Sequence, residues 1–309
     1  MWHSLATNAS GSVVIAGSCD GQVYVSHDSG ATWTAGNSPN AVCWISSALT
    51  ATGDTIYAAQ YSGGLYRSRD FGTTWSQVTT SPLISSGSGI NFESVAVSQD
   101  GTRIAVAIQN SSLVQSSDSG ATWHIASFPD NQPTHWWRWV SMSPDGKVIV
   151  AVSHEDIFRS TDAGATWQRL TVAVNGTAVA DKWYRVKTSA DGQVIAVVGN
   201  NFAGAQGTGV YVSRDGGATW GRGYALVADY SFLAMSADGK TIAATVSDTG
   251  ATSGRVLLSR DSGVTFTVQT MPGSDTDWRA IAMSSAADLV FAATGLFTTH
   301  TAGLIYTGH

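Results

Sequence analysis

The stretch Ser116–Trp123 (SSDSGATW) decides the fold of this 309-residue chain, because it is one of six copies of the pattern Ser-x-Asp-x-Gly-x-Thr-Trp/Phe. Successive closing aromatic residues lie 42 to 53 residues apart. Self-similarity with a period of about 40–50 residues is typical of propellers and solenoids. The six boxes are Ser26–Trp33, Ser68–Trp75, Ser116–Trp123, Ser160–Trp167, Ser213–Trp220 and Ser259–Phe266.

Each box lies near the end of a longer repeat, which opens with an aromatic residue and has two apolar stretches joined by a turn. The turn often contains Asp-Gly, a strong hairpin signal, as at Asp145-Gly146. A third apolar stretch leads into the box and a short fourth one follows it. Four antiparallel strands per repeat predict an all-β, seven-bladed β-propeller. A parallel β-helix is the weaker alternative, because its repeats are shorter.

The opening aromatic residues set the expected domain organisation. We expect a single β-propeller domain over residues 1–309, with blades starting near residues 2, 44, 92, 137, 183, 230 and 278. The seventh repeat has no box. We therefore expect a seventh blade of three strands, closed by packing rather than by strand exchange.

Composition and charge exclude several classes of protein. Charged residues make up only 12% of the chain and hydrophobic residues 43%, which argues against a helical bundle and against disorder. The net charge of −6 gives no basic footprint for nucleic acid, and no apolar run is long enough to span a membrane. We expect a monomer without cofactor or metal, extracellular or periplasmic, although the chain starts without a signal peptide. The two cysteines, Cys19 and Cys43, can pair or stay free.

Each conserved position of the box has a structural explanation. The aspartate can accept hydrogen bonds from the backbone of its own turn, and the glycine supplies a positive φ. The closing tryptophan can pack beneath the hairpin. We therefore interpret the boxes as elements that hold the blades together. One carboxylate per turn offers too few ligands for calcium.

The six boxes resemble the Asp-box (bacterial neuraminidase) repeat, which occurs in sialidases, xyloglucan-cleaving endoglucanases, some polysaccharide lyases and photosystem II assembly factors. The resemblance covers essentially the whole chain. It implies a propeller with the boxes on the blade periphery, and it says little about chemistry because one fold carries many functions.

This chain departs from the sialidase pattern in two respects. Sialidases have six blades and an early Phe/Tyr-Arg-Ile-Pro motif, whereas this chain has seven repeats and lacks the motif. Their three arginines clamp a carboxylate, and Arg138, Arg185 and Arg279 open inner strands here. Arg185 lies one residue later in its repeat than the other two. With a side-chain period of two, we expect it to face the other side of its strand.

Binding and catalytic sites of propellers usually lie on one face of the fold. This top face is formed by the links that precede the first strands and by the turns between second and third strands. Both glutamates of the chain map to this top face, as do several histidines, arginines and extra aromatic residues. The candidate catalytic residues are Glu93, His135, Arg138, His154, Glu155, Tyr184 and Arg279. The candidate substrate-binding residues are Trp136, Trp139, Asp130, Asp277 and Arg185.

These residue types favour a carbohydrate or another small-molecule ligand. Aromatic faces stack on sugar rings, and charged groups bind the hydroxyls. A glycoside hydrolase needs two carboxylates, and a uronate lyase needs a Tyr or His base with an arginine on the carboxylate. The leading hypothesis is therefore a glycan-engaging propeller, leaning to a hydrolase or lyase. The alternatives are a non-catalytic lectin and an assembly or scaffold protein that binds a protein partner.

Overall fold

The computed structural model describes most of the chain, in eleven segments. They are residues 2–19, 21–39, 43–79, 90–132, 134–179, 182–199, 209–226, 228–247, 254–271, 277–295 and 304–308.

The described residues form β-strands joined by turns, and no helix is present among them. Blades 1 to 4 contain β1 (Trp2–Thr7), β2 (Val14–Ser18), β3 (Val23–Ser26), β4 (Thr34–Ala35), β5 (Trp44–Leu49), β6 (Ile56–Gln60), β7 (Gly64–Ser68), β8 (Ser76–Gln77), β9 (Phe92–Val97), β10 (Ile104–Ile108), β11 (Leu113–Ser116), β12 (His124–Ile125), β13 (Trp137–Met142), β14 (Ile149–Ser153), β15 (Ile157–Ser160) and β16 (Gln168–Leu170). A small hairpin follows, made of β17 (Ala173–Val174) and β18 (Thr177–Ala178). Blades 5 to 7 contain β19 (Trp183–Thr188), β20 (Ile195–Gly199), β21 (Val210–Ser213), β22 (Gly221–Tyr224), β23 (Tyr230–Met235), β24 (Ile242–Val246), β25 (Arg255–Ser259), β26 (Thr267–Val268), β27 (Trp278–Met283), β28 (Val290–Thr294) and β29 (Ile305–Gly308).

Six antiparallel sheets of four strands and a seventh of three make a seven-bladed β-propeller, as the repeats predict. The second strand of every blade is nearly or fully buried, because neighbouring sheets cover both of its faces. Six of the seven opening aromatic residues are fully buried or nearly so, and Trp2 is half-buried. The core therefore lies between the blades, in apolar side chains that the repeats supply at equivalent places.

The seventh blade contains β27, β28 and β29, and its inner strand β27 packs beside β1 of the first blade. Within the described part of the chain, this confirms the expected three-stranded blade and closure by packing. The turns between first and second strands add a ring of backbone hydrogen bonds. Ser285 N–H donates to the Ala9 carbonyl at 2.9 Å, and Ala9 N–H donates to the Ala51 carbonyl at 3.3 Å. The ring lacks one link, at Pro144, because proline has no N–H to donate to the next blade.

The boxes join third to fourth strands at the same end of the blades as this ring. In the third box, the Ser116 hydroxyl donates to Asp118 Oδ1 at 2.8 Å. The backbone N–H and the hydroxyl of Thr122 donate to the same carboxylate at 2.8 and 2.6 Å. Gly120 has a φ of 81°, and its carbonyl accepts the indole N–H of Trp123 at 3.1 Å. The serine–aspartate–threonine bonds recur in the other five boxes, so the box holds its hairpin by internal hydrogen bonds.

Candidate functional site

The end of the propeller opposite the boxes is shaped by one irregularity that recurs in every blade. Each pairing of first and second strands has a register shift directly after the opening aromatic residue, as between Trp137 and Trp139. A β-bulge places two successive residues of the bulged strand opposite one residue of the partner. The second residues of five inner strands line the top of the channel, and the third residue of the blade 5 strand, Arg185, joins them there.

The mouth site is the cavity of about 260 Å³ at this end of the channel. Its lining residues come from blades 1 to 5 and include four of the twelve candidate residues. The lining residues are His3, Cys43, Ile45, Tyr61, Glu93, Arg138, Tyr184 and Arg185. The volume lies just below the usual range for ligand pockets, and it suits one side chain or one sugar unit.

Arg138 and Glu93 form a buried ion pair in the mouth site. Arg138 Nη1 lies 3.1 Å from Glu93 Oε1, and the Glu93 residue is 6% exposed. Burial raises the pKa of Glu93, and the charges of Arg138 and Arg185 offset that effect only in part. The pair therefore supplies both a carboxyl group with increased affinity for its proton and a guanidinium group facing a small cavity.

Tyr184 lies under two guanidinium groups. The Arg185 and Arg138 guanidinium carbons are 3.8 and 4.7 Å from the centre of its ring. Burial acts to raise the pKa of Tyr184, but the charges of Arg185 and Arg138 outweigh burial, and the pKa lies below its ordinary value. A phenol in this setting is more acidic than a free tyrosine.

Arg185 converges with Arg138 on the mouth site, so the expectation that it faces the other side of its strand is wrong. The bulge between Trp183 and Arg185 breaks the alternation on which that expectation depended. The Arg185 residue is only 3% exposed, and its guanidinium carbon lies 4.1 Å from the Trp139 ring and 4.5 Å from the Phe232 ring. Trp139 and Phe232 line a second cavity farther down the channel. These three side chains therefore form a layer between two cavities.

Arg279 adds a third guanidinium group close to the mouth site, and His3 lines the cavity. Arg279 Nε lies 2.7 Å from Asp277 Oδ1. Burial, together with the positive charges of Arg185 and Arg279, lowers the pKa of His3 to about 4. His3 is therefore a neutral imidazole near neutral pH. Among the described residues, three guanidinium groups in and near the mouth site thus face two carboxyl groups, those of Glu93 and Asp277.

A disulfide joins Cys19 and Cys43 beside the mouth site, which settles the alternative that the sequence left open. Cys19 follows the second strand of blade 1, and Cys43 precedes the first strand of blade 2. The bond therefore ties two neighbouring blades together next to the cavity.

The side cavity is a separate depression of about 600 Å³ on the top face, outside the channel. It contains five of the candidate residues. Its lining consists of Asn110, Asp130, Gln132, Thr134, His135, Trp136, Ser153, His154, Glu155, Asp156, Arg169 and Lys182.

Ion-pair contacts link several charged side chains of the side cavity. His135 lies between two carboxylates, with Nε2 at 3.4 Å from Asp130 and Nδ1 at 3.5 Å from Asp156. Arg169 pairs with the other oxygen of Asp156. Lys182 Nζ lies 3.2 Å from Glu155 Oε1.

Trp136 covers one edge of the side cavity. It is 48% exposed and stacks on His154 with ring centres 4.8 Å apart. Burial lowers the pKa of His154 to about 4, with smaller contributions from the charges of Arg138 and Lys182. The stacked pair presents a flat aromatic surface to solvent.

The structure thus divides the candidate residues between two places. Glu93, Arg138, Tyr184 and Arg185 share the mouth site, whereas Asp130, His135, Trp136, His154 and Glu155 share the side cavity. Glu93 and Glu155 line different cavities, so the carboxylate pair of a hydrolase is not assembled from them. Trp139 is buried in the layer beneath the mouth. Asp277 and Arg279 form their own ion pair.

Four mouth residues were missed as candidates, namely His3, Cys43, Ile45 and Tyr61. His3 and Ile45 are the second residues of their inner strands, the same place that Glu93 and Arg138 occupy. An alignment of the repeats on their opening aromatic residues would have identified His3 and Ile45 as candidates. Tyr61 lies in the turn between β6 and β7, and only its position at the top of a blade marks it.

Comparisons with known proteins agree with the propeller. The family model for Sortilin-Vps10 (Sortilin, neurotensin receptor 3) matches residues 111–254. No curated protein matches the sequence. The solved structure "YCF48 bound to D1 peptide" aligns over 94% of this chain and 89% of that one, at 14% identity and a TM-score of 0.66. The β-propeller domain of Myceliophteria thermophila Cps50 (Swd1) aligns over 99% and 95%, at 11% identity and a TM-score of 0.68.

At these identities, the two structures are similar to this chain in fold alone. Separately, none of the described residues belongs to a helix long and apolar enough to cross a membrane.

Proposed function

We propose that this chain is a binding propeller that captures a carboxylate-bearing segment of a protein partner at the mouth site. The observation that carries the proposal is Arg185. Its guanidinium group is buried, faces a cavity, and has no carboxylate within ion-pairing distance among the described residues. A buried guanidinium group without a directly paired carboxylate is costly, and a ligand carboxylate would supply that partner.

The surroundings of Arg185 support a carboxylate ligand. Arg138 lines the same cavity, and burial raises the pKa of its partner Glu93, so burial disfavours the carboxylate that would compete with a ligand. Two guanidinium groups that face one small cavity form the arrangement that binds carboxylates strongly. The apolar side of the cavity, Ile45 and Tyr61, offers a surface for a neighbouring side chain.

Among the protein-partner alternatives, peptide binding has support from the comparisons. One structural neighbour is named as a complex with a peptide.

We propose further that residues 1–309 form one domain, that the six boxes are Asp-box repeats, and that the protein works in an oxidising compartment. The uniform hydrogen bonds of the boxes and the Cys19–Cys43 disulfide support the last two points.

The test uses two pools of acetylated hexapeptides without acidic side chains, one with free C-terminal carboxylates and one with C-terminal amides. Mass spectrometry of peptides retained on the immobilised protein should show at least tenfold preference for the free acids, because charge-assisted hydrogen bonds are lost in the amides. Arg138→Met should abolish this preference.

Arg169→Met is the matched control, because it removes a guanidinium group from the side cavity. It should leave the preference intact. Equal retention of both pools by the wild-type protein, or an undiminished preference in Arg138→Met, would contradict the proposal.

A uronate lyase is the second candidate, and Tyr184 is the observation that favours it. Its pKa lies below the ordinary value, and two guanidinium groups lie over its ring. In such a lyase, Tyr184 in its phenolate form takes the proton from the carbon next to the substrate carboxylate, while the arginines neutralise that carboxylate. A carbon–carbon double bond forms, the bond to the leaving sugar oxygen breaks, and that oxygen takes a proton from water. The hydroxide that remains takes the proton from the Tyr184 phenol, which restores the phenolate.

Oligogalacturonate serves as the probe for this second function. Unsaturated uronate products from the wild-type protein, together with binding but no products from Tyr184→Phe, would establish the lyase. Binding without products from the wild-type protein would leave the binding propeller. Absence of products and of binding would exclude uronates as ligands.

A further inference from the structure

The axial cavity is a second space in the channel, about 190 Å³ in volume, below the layer that contains Trp139 and Phe232. The fifth residue of every inner strand lines it. In six blades this residue is small, and in blade 5 it is Lys187. The six small residues are Ala6, Ala48, Ala96, Ser141, Ala234 and Ala282.

Lys187 is the one charged side chain among the described residues that line the axial cavity. No described carboxylate pairs with it, and the charge that acts on it is that of Arg185, which has the same sign. Burial lowers the pKa of Lys187, and Arg185 lowers it further. The described lining of the axial cavity thus contains one basic side chain and no carboxylate.

Polar groups of the same lining are also unsatisfied. The hydroxyls of Ser4 and Ser47 are buried and have no hydrogen-bond partner among the described residues, and Ser4 is 1% exposed. Hydroxyls donate hydrogen bonds to anions as readily as to water. The volume is large enough for an ion together with several water molecules.

We propose that the axial cavity is a binding site for a small monovalent anion, held by the ammonium group of Lys187. A buried ammonium group gains more from an adjacent anion than an exposed one does, because the surroundings screen the attraction less. The ring of small residues leaves the room that the ion needs. This site is independent of the mouth site, since the layer of Trp139, Arg185 and Phe232 lies between them.

Bromide is the probe for a direct test. Crystals of the wild-type protein soaked in sodium bromide should show an anomalous peak within contact distance of Lys187 Nζ, and crystals of Lys187→Met should show none there. A wild-type axial cavity that contains only water under these conditions would overturn the proposal.

A solution measurement gives an independent check. At constant ionic strength, replacing gluconate by chloride should raise the Tm of the wild-type protein by about 2 °C, since a ligand that binds only the folded state stabilises it. Lys187→Met should lose this difference. Lys147→Met should keep it, because Lys147 is exposed and pairs with Asp145 at 3.8 Å. An unchanged chloride effect in Lys187→Met would contradict the proposal.

The outcome is separable from that of the proposed function. Lys187→Met should retain the preference for free-acid peptides, because it leaves Arg138 and Arg185 in place. Loss of that preference in Lys187→Met would show that the two cavities act as one site and would overturn the independent anion site.

Discussion

The two ends of the blades differ in how similar the repeats are to one another. At the end with the boxes, six turns repeat the same serine, aspartate and threonine hydrogen bonds, and a ring of backbone bonds links most neighbouring blades. At the mouth, the second residues of the inner strands differ from blade to blade. They are His3, Ile45, Glu93, Arg138, Tyr184, Ser231 and Arg279.

This difference separates structure from function within one repeat. A hydrogen-bonded turn stabilises any blade in the same way, so the same residues serve at every copy. A ligand in the central channel meets all blades at once, so each blade can contribute a different group. A position at which the residue type differs from one repeat to the next therefore indicates the candidate site better than the presence of polar residues does.

Removing the closing aromatic residue of a box should have the largest effect. Trp167 is buried, packs on Phe128 with ring centres 5.0 Å apart, and donates its indole N–H to Gly164 at 3.2 Å. Trp167→Ala should lower the free energy of unfolding by about 3–5 kcal/mol. Urea denaturation measures this. A loss below about 1 kcal/mol would show that the boxes are dispensable for stability.

Acid should weaken the box end before the mouth. Hydrogen bonds from Thr122 lower the pKa of Asp118 to about 2, from an ordinary value of 3.8. A depressed carboxyl pKa stabilises the fold above pH 4, and this stabilisation is lost as the pH falls toward 2. Asp118→Ala should therefore have a lower Tm than the wild-type protein at pH 7 and nearly the same Tm at pH 2. Glu155→Gln, on the exposed top face, should show no such convergence.

The mouth should show the opposite pH dependence. Burial raises the folded-state pKa of Glu93 above 4.5, so its stabilising contribution is present at low pH and is lost as the pH rises through that folded pKa. Glu93→Gln should remove a slope of up to about 1.4 kcal/mol per pH unit from the free energy of unfolding. Urea denaturation from pH 4.5 to 7 measures it. Identical slopes in the variant and wild-type protein would contradict the assignment.

The smallest effect is expected at the exposed aromatic residue of the side cavity. Trp136 is half-exposed and stacks only on His154 among the described rings. Trp136→Ala should change the free energy of unfolding by no more than about 0.5 kcal/mol. It should also leave free-acid peptide retention unchanged. A larger loss of stability would show that Trp136 belongs to the structural aromatic set, like Trp167.

The top-face candidates were found because every residue of a propeller link faces the same end of the fold. Their division into two cavities was not predictable, since neighbouring residues such as Trp137 and Arg138 point to different surroundings. Trp137 is buried between blades, and Arg138 reaches the mouth. The bulge that brings Arg185 beside Arg138 leaves no mark in the repeat pattern.

The sequence by itself determined the seven blades, their first residues, the six boxes and the three-stranded last blade. These follow from local hydrogen bonding and from the repeat, which each segment of chain encodes alone. Only the tertiary structure decided that Glu93, Arg138, Tyr184 and Arg185 share one cavity and that Lys187 is the one charged residue in the described lining of another. The circular arrangement of the blades brings residues from separate blades into one cavity. The net charge of a cavity therefore depends on every blade that lines it.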